Sequence, residues 1–173
     1  MRKEILFSGA DIGNRVQELG REISADYRGR SLVLIGVLKG AFMFLADLAR
    51  SIDLPVEIDF IRVASYGDAT TTSGTIRLTK SPEIDLAGKD VLLVEDIVDT
   101  GSTLAWLHKY FKEHQAESIK MCALVDKYER REKDVIVDYS GFRVEKGFLI
   151  GYGLDHAEQF RNLPAIYEGF PNE

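Results

Sequence analysis

Residues 91–104 read VLLVEDIVDTGSTL. Val91 to Val94 is a short apolar run of the kind a strand buried on both faces needs. It ends in two adjacent carboxylates, Glu95 and Asp96, and a third, Asp99, follows three residues later. Thr100-Gly101-Ser102-Thr103 then opens a helical pattern from Thr103 to His114, with Leu104, Leu107 and Phe111 in phase. Apolar strand, polar turn and amphipathic helix, in that order, begin a βαβ unit.

The same alternation extends in both directions. Upstream, Ser31 to Val37 (SLVLIGV) reads as a buried strand, and Lys39-Gly40 interrupts it. Ala41 to Arg50 then reads as a helix with Phe42, Leu45, Leu48 and Ala49 on one side. Before that strand, Ser8-Gly9-Ala10-Asp11 is a helix start with an acidic residue three positions after the cap, and Ile12, Val16, Leu19 and Ile23 follow at helical spacing. Val56 to Ala64 alternates apolar and polar residues, residues 66–74 form a polar loop, and Ile76 to Thr79 returns as a hairpin arm. Ser118 to Val125, Val135 to Tyr139 and Phe148 to Gly151 are strand-like. The expected fold is therefore α/β, a mainly parallel twisted sheet with helices on both faces. Ligands of such sheets sit beyond the carboxyl ends of the strands.

Composition narrows the class. A chain of 173 residues with 45% hydrophobic and 29% charged content has the size and make-up of one globular domain, not of a disordered chain. The 22 basic and 28 acidic residues give a net charge of −6, which disfavours a uniformly basic nucleic-acid or membrane-surface binder. The single cysteine, Cys122, cannot form an intramolecular disulfide and reads as core. With no apolar run of signal-peptide or membrane-spanning length, a cytoplasmic location is expected. A P-loop, a G-x-S-x-G elbow, an H-E-x-x-H pair and a three-glycine dinucleotide fingerprint are all missing. His108, His114 and His156 lack metal-ligand spacing.

The chemistry follows from the opening stretch. Free backbone N–H groups at a helix start, the tight turn at Gly101, and the hydroxyls of Thr100, Ser102 and Thr103 make a phosphate cradle. Three carboxylates beside a phosphate repel it unless something intervenes. Sugar hydroxyls can donate to Glu95 and Asp96, and Mg²⁺ can bridge carboxylates to ligand oxygens. Asp99 is then free for proton transfer. Together these features suggest a ribose 5-phosphate held in one loop.

VLLVEDIVDTGSTL resembles the phosphoribosyl-diphosphate (PRPP) signature of the type I phosphoribosyltransferases, and the flanking motifs from about Ile35 to Pro164 resemble the 6-oxopurine branch. The resemblance implies transfer of the 5-phosphoribosyl group from PRPP to N9 of hypoxanthine or guanine, giving IMP or GMP and diphosphate, with Mg²⁺ as cofactor. It assigns Lys39 and Gly40, in a loop whose Leu-Lys peptide can be cis, and Arg161 to the diphosphate. It assigns Glu95, Asp96, Asp99, Thr100, Gly101, Ser102 and Thr103 to the ribose and 5-phosphate, with Asp99 as the catalytic group at purine N7. Lys127 would bind the purine O6 and select against adenine, which presents an amino group there. Phe148 would stack on the base, with the Leu149 backbone and the Asp155 region facing N1 and the exocyclic position. Glu95, Asp96 and Asp155 are the implied metal ligands.

The resemblance also implies one domain over residues 1–173. A lid at about 65–74 begins at Ser65 and Tyr66, and a small hood is built from the N-terminal segment and about 140–173. A homodimer or homotetramer is expected. His156-Ala157 replaces the tyrosine-rich stretch of the family, and Ser102 stands at a variable position; neither removes a proposed chemical group. The runner-up reading is a xanthine-preferring transferase. Further off are a nucleotide-sensing RNA-binding regulator of the same fold and a phosphoacceptor receiver, which would lack the TGST cradle.

Overall fold

The computed structural model describes residues 1–66 and 75–170. Strand β1 (Arg2–Phe7) precedes helix α1 (Gly9–Asp26). A reciprocal cap opens this helix: Ser8 Oγ accepts from the Asp11 N–H at 3.1 Å, and Asp11 Oδ2 accepts from the Ser8 N–H at 2.9 Å. Ile12, Val16, Leu19 and Ile23 form its buried stripe. Strand β2 (Leu32–Leu38) and helix α2 (Phe42–Ser51) follow. The buried face of α2 is Phe44, Leu45 and Leu48, whereas Phe42, expected on that face, is 40% exposed in the first turn. Strands β3 (Val56–Tyr66) and β4 (Thr75–Lys80) pair antiparallel as the expected hairpin.

Strand β5 (Asp90–Val98) runs four residues past Val94, so Glu95 and Asp96 lie within the strand rather than beyond it. Its pairing with β6 (Ser118–Lys127) continues through Glu95 opposite Ala123 and Val98 opposite Asp126. Helix α3 (Ser102–Glu113) joins the two strands. Strand β7 is Tyr139–Val144, not Val135 to Tyr139 as the apolar alternation suggests. Val135 and Val137 do pack on the core, but the Met121 N–H beside them donates to the Asp138 side chain at 2.9 Å. Backbone pairing with β6 starts only at Tyr139. Strands β8 (Leu149–Ile150) and β9 (Ile166–Phe170) complete the chain.

Six strands form one sheet in the order β4-β3-β2-β5-β6-β7, parallel except at the β3–β4 edge. Alternation along the central strands serves both faces. Leu32, Leu34, Leu92, Val94, Cys122 and Leu124 cluster with α1 and α2. Val33, Ile35, Val91, Leu93, Met121 and Ala123 cluster with α3. Each such buried aliphatic side chain contributes about 1.5–3 kcal/mol of transfer free energy. Burial among these groups pushes the Cys122 thiol well above its ordinary range, as suits a core residue.

The chain ends pair separately in a three-stranded antiparallel sheet, β1-β9-β8. Phe7, at the end of β1, stacks on Phe142 of β7 with ring centres 3.9 Å apart. This small sheet is the hood expected from the chain ends. In the large sheet, β2 leads through α2 to one side and β5 leads through α3 to the other. The strand order thus reverses between β2 and β5, where an open parallel sheet leaves a crevice for a ligand.

Candidate active site

Three loops leave the carboxyl ends of β2, β5 and β6 around that crevice. The first carries a cis Leu38–Lys39 peptide and Gly40. A Cβ on Gly40 would overlap the Asp96 carboxylate, and one on Gly153 (φ 100°) would overlap the Gly40 carbonyl. The two glycines therefore let residues 153, 40 and 96 stack closely. Lys39 Nζ lies 2.7 Å from Glu158 Oε2.

The second loop ends in the helix start. Gly101 is the N-cap of α3 in the left-handed region (φ 84°), and the N-cap residue itself has no side chain to cap the helix. The contrast with the closed start of α1 is direct. Thr100 Oγ1 accepts from the Ser102 N–H at 3.3 Å. The α3 terminus thus combines a positive dipole end with surrounding hydroxyls, as an anion site requires. Behind it, the Glu132 and Lys133 N–H groups donate to the Thr100 carbonyl at 2.9 and 3.0 Å.

Glu95 is buried, and Asp96 is half-buried beside it. Desolvation, and then the Asp96 charge, hold the Glu95 carboxyl well above its usual range. Desolvation also raises Asp96, against the Ile97 N–H at 2.8 Å and the Arg161 charge. Two like charges sharing a buried site favour a proton, donors or a cation between them.

Asp99 lies where the second and third loops meet. Its Oδ2 is 3.8 Å from Lys127 Nζ and 3.4 Å from Arg130 Nη1. Its Oδ1 is buried without a hydrogen-bond partner. Arg131 braces the junction: Nε donates to the Asp99 carbonyl at 3.0 Å, Nη2 to the Lys127 carbonyl at 3.1 Å, and Nη2 also pairs with Asp126. The side chain of Lys127 is only 12% exposed.

The returning stretch 147–163 has positive φ at Gly147, Gly151, Tyr152, Gly153, Ala157, Glu158 and Phe160. Tyr152 pins it to α2 by donating from its hydroxyl to Asp47. Phe148 is 37% exposed and meets the edge of His156 at 5.2 Å. Gly169 lies under that ring, and a Cβ there would come within 3.1 Å of Phe148 Cδ1. Leu149 is buried in the core cluster and pairs with Glu168 in the small sheet. Asp155 pairs with Arg161 Nη2 at 2.9 Å and accepts from the Glu158 N–H at 2.8 Å. Arg161 Nη1 donates to the Gly153 carbonyl at 2.7 Å, while its Nε is buried without a partner.

The expected residues thus fall into two groups. Lys39, Gly40, Asp96, Asp155 and Arg161 gather around the β2 loop, whereas Asp99, Thr100, Gly101 and Lys127 gather at the ends of β5 and β6. Ser65 and Tyr66 end β3, and residues 67–74 of the expected lid lie outside the described residues. Glu158, Arg130, Arg131 and Gly169 were not singled out from the sequence. Charged residues in polar loops and a glycine in a terminal strand carry no periodic signal there.

Among the described residues, no three His, Cys, Asp or Glu side chains come together as a metal cage. Glu95 with Asp96, and Asp155 apart from them, supply one or two carboxylates each. That donor set fits Mg²⁺, which is commonly held by one or two carboxylates and completed by substrate phosphates and water.

Comparison with known proteins agrees with this geometry. Residues 4–157 match the phosphoribosyl transferase domain family, and the chain belongs to it. The chain is 44% identical over 164 residues to the hypoxanthine-guanine phosphoribosyltransferase of Streptococcus agalactiae, covering 95% of this chain and 91% of that one. The Bacillus subtilis enzyme of the same name is 43% identical over the same coverage. The crystal structure of a hypoxanthine phosphoribosyltransferase from Staphylococcus aureus superposes with a TM-score of 0.94 at 39% identity, over 97% of this chain and 91% of that one. A hypoxanthine-guanine phosphoribosyltransferase from Bacillus anthracis gives 0.93 at 43% identity, over 96% and 98%. Within the family, the chain belongs with the hypoxanthine-guanine phosphoribosyltransferases, transferases of PRPP-dependent purine salvage.

Proposed function

We propose that the chain joins the 5-phosphoribosyl group of PRPP to N9 of hypoxanthine or guanine through the residues assembled between β2, β5 and β6. The 5-phosphate sits on the open N-terminus of α3, against the hydroxyls of Thr100, Ser102 and Thr103. Glu95 and Asp96 accept from the ribose hydroxyls, which relieves their mutual repulsion. Lys39, the Gly40 backbone and Arg161 hold the diphosphate and stabilise the charge that grows on it as C1 separates. Glu95 and Asp96, and at a second position Asp155, would hold Mg²⁺, which would supply further charge neutralisation.

The base enters against Phe148, with Lys127 Nζ donating to O6 and the Leu149 backbone at N1. Asp99 accepts the proton that the base loses, through N7, as N9 bonds to C1. The hood sheet carries the base pocket. The enzyme works as a homodimer or homotetramer in the cytoplasm, as one domain over residues 1–173.

The observation that carries the assignment is the placement of Asp99. One carboxylate oxygen has no protein partner, and the other lies 3.8 Å from Lys127 Nζ and 3.4 Å from Arg130 Nη1. The Asp99→Asn variant tests it. Turnover should fall roughly 10²- to 10⁴-fold, while PRPP binding stays within a few-fold of the unaltered protein. Near-normal turnover would remove Asp99 from proton transfer.

A further inference from the structure

Lys39 and Arg161 already hold an anion, and it belongs to the protein. Glu158 Oε2 lies 2.7 Å from Lys39 Nζ, and Glu158 Oε1 lies 3.3 Å from Arg161 Nη2. One carboxylate therefore bridges the two cations assigned to the diphosphate. Lys39 comes from the β2 loop, 119 residues away in the chain.

The local backbone is built for this reach at some expense. His156 and Gln159 exchange N–H···O bonds at 3.1 and 3.0 Å around Ala157 and Glu158, whose φ angles are 50° and 64°. Positive φ at both central residues is the type I′ pattern, which glycine, asparagine and aspartate usually occupy. Alanine and glutamate are disfavoured there, and strained backbone of this kind gathers at functional sites.

Arg161 does not need Glu158 for its position. It is also held by Asp155 at 2.9 Å and by the Gly153 carbonyl at 2.7 Å. The Lys39–Glu158 pair is solvent-facing, with side chains 47% and 63% exposed, so it separates at little cost.

We propose that Glu158 is an internal counter-anion of the diphosphate subsite. It occupies Lys39 and Arg161 while the subsite is empty and gives them up when diphosphate, free or as part of PRPP, arrives. Competition by the protein's own carboxylate weakens diphosphate binding and favours release of this product. Glu158 is a positioning residue, acting through Lys39 and Arg161. The inference rests on the diphosphate assignment of those two cations.

The test is calorimetric titration of magnesium diphosphate into the full-length protein and its Glu158→Gln, Glu158→Ala and Lys39→Ala variants, with the KM for PRPP measured alongside. Both Glu158 variants should bind diphosphate roughly three- to tenfold more tightly, as expected when a competitor fills the subsite about 70–90% of the time. The KM for PRPP should fall in proportion. Weaker or unchanged binding in both Glu158 variants, with Lys39→Ala clearly weakened, would overturn the role of Glu158 and leave the subsite in place. Unchanged binding in Lys39→Ala would overturn the subsite assignment, and this inference with it.

Discussion

Lys127 Nζ lies 3.8 Å from Asp99 Oδ2, at the ends of adjacent parallel strands β6 and β5. This relationship links the two proposed halves of the chemistry. The group proposed to read the base stands beside the group proposed to take its proton. Arg131 sets the spacing by donating to the backbone carbonyls of both residues.

Lys127→Ala should therefore affect specificity and rate together. Loss of a charged donor to O6 corresponds to about 1.5–3 kcal/mol, or roughly 10- to 100-fold in kcat/KM for hypoxanthine and guanine. Adenine turnover should not fall, because its amino group gains nothing from an ammonium donor. Steady-state kinetics with the three bases checks this, and an equal loss for adenine would contradict O6 recognition.

Glu95 gives a pH prediction. Its carboxyl is raised first by burial and then by Asp96, so the folded state holds the proton more tightly than the unfolded chain does. The sign follows from linkage: as pH rises above about 4.5, the unfolded chain loses this proton first, and the folded state is progressively disfavoured. Glu95→Gln removes this penalty. The ligand-free variant should melt higher than the unaltered protein at pH 8, by roughly 2–4 °C for each kcal/mol regained, and the gap should narrow towards pH 5. PRPP binding should weaken at the same time. A variant that melts lower at pH 8 than at pH 5, relative to the unaltered protein, would contradict this sign.

Gly40→Ala places a methyl group against the Asp96 carboxylate. Overpacking of this kind costs about 1–3 kcal/mol, and the displaced loop carries Lys39 with it. Lower thermal stability and weaker diphosphate binding should appear together, by melting and by titration. Unchanged diphosphate affinity would show that the close approach of residues 40 and 96 does not organise the subsite.

Much of this was legible because β5 and its loop are local. Val91 to Val94, the acids and the Thr100–Thr103 turn follow one another in sequence, so strand, turn and helix start could be read from one stretch. The parallel sheet with helices on both faces followed from the alternation of elements around it. Strands β1 and β9 were not legible. They pair across some 160 residues, and β1 is exposed at five of its six positions, so it shows no buried period. The Val135–Tyr139 stretch misled for the opposite reason. Its valines are buried against the core, but the Asp138 side chain, rather than backbone, takes the neighbouring Met121 N–H.

Within the site, Asp99 and Lys127 were legible as strand-end residues. The Glu158 bridge was not, because it depends on a turn whose φ angles neither alanine nor glutamate advertises.

Diphosphate release from PRPP and Mg²⁺, with hypoxanthine, guanine, xanthine, adenine and uracil supplied one at a time, measures the proposed transfer itself. Release with hypoxanthine and guanine, and little with adenine or uracil, is the predicted result. No release with either hypoxanthine or guanine, from protein that still binds PRPP, would contradict this assignment.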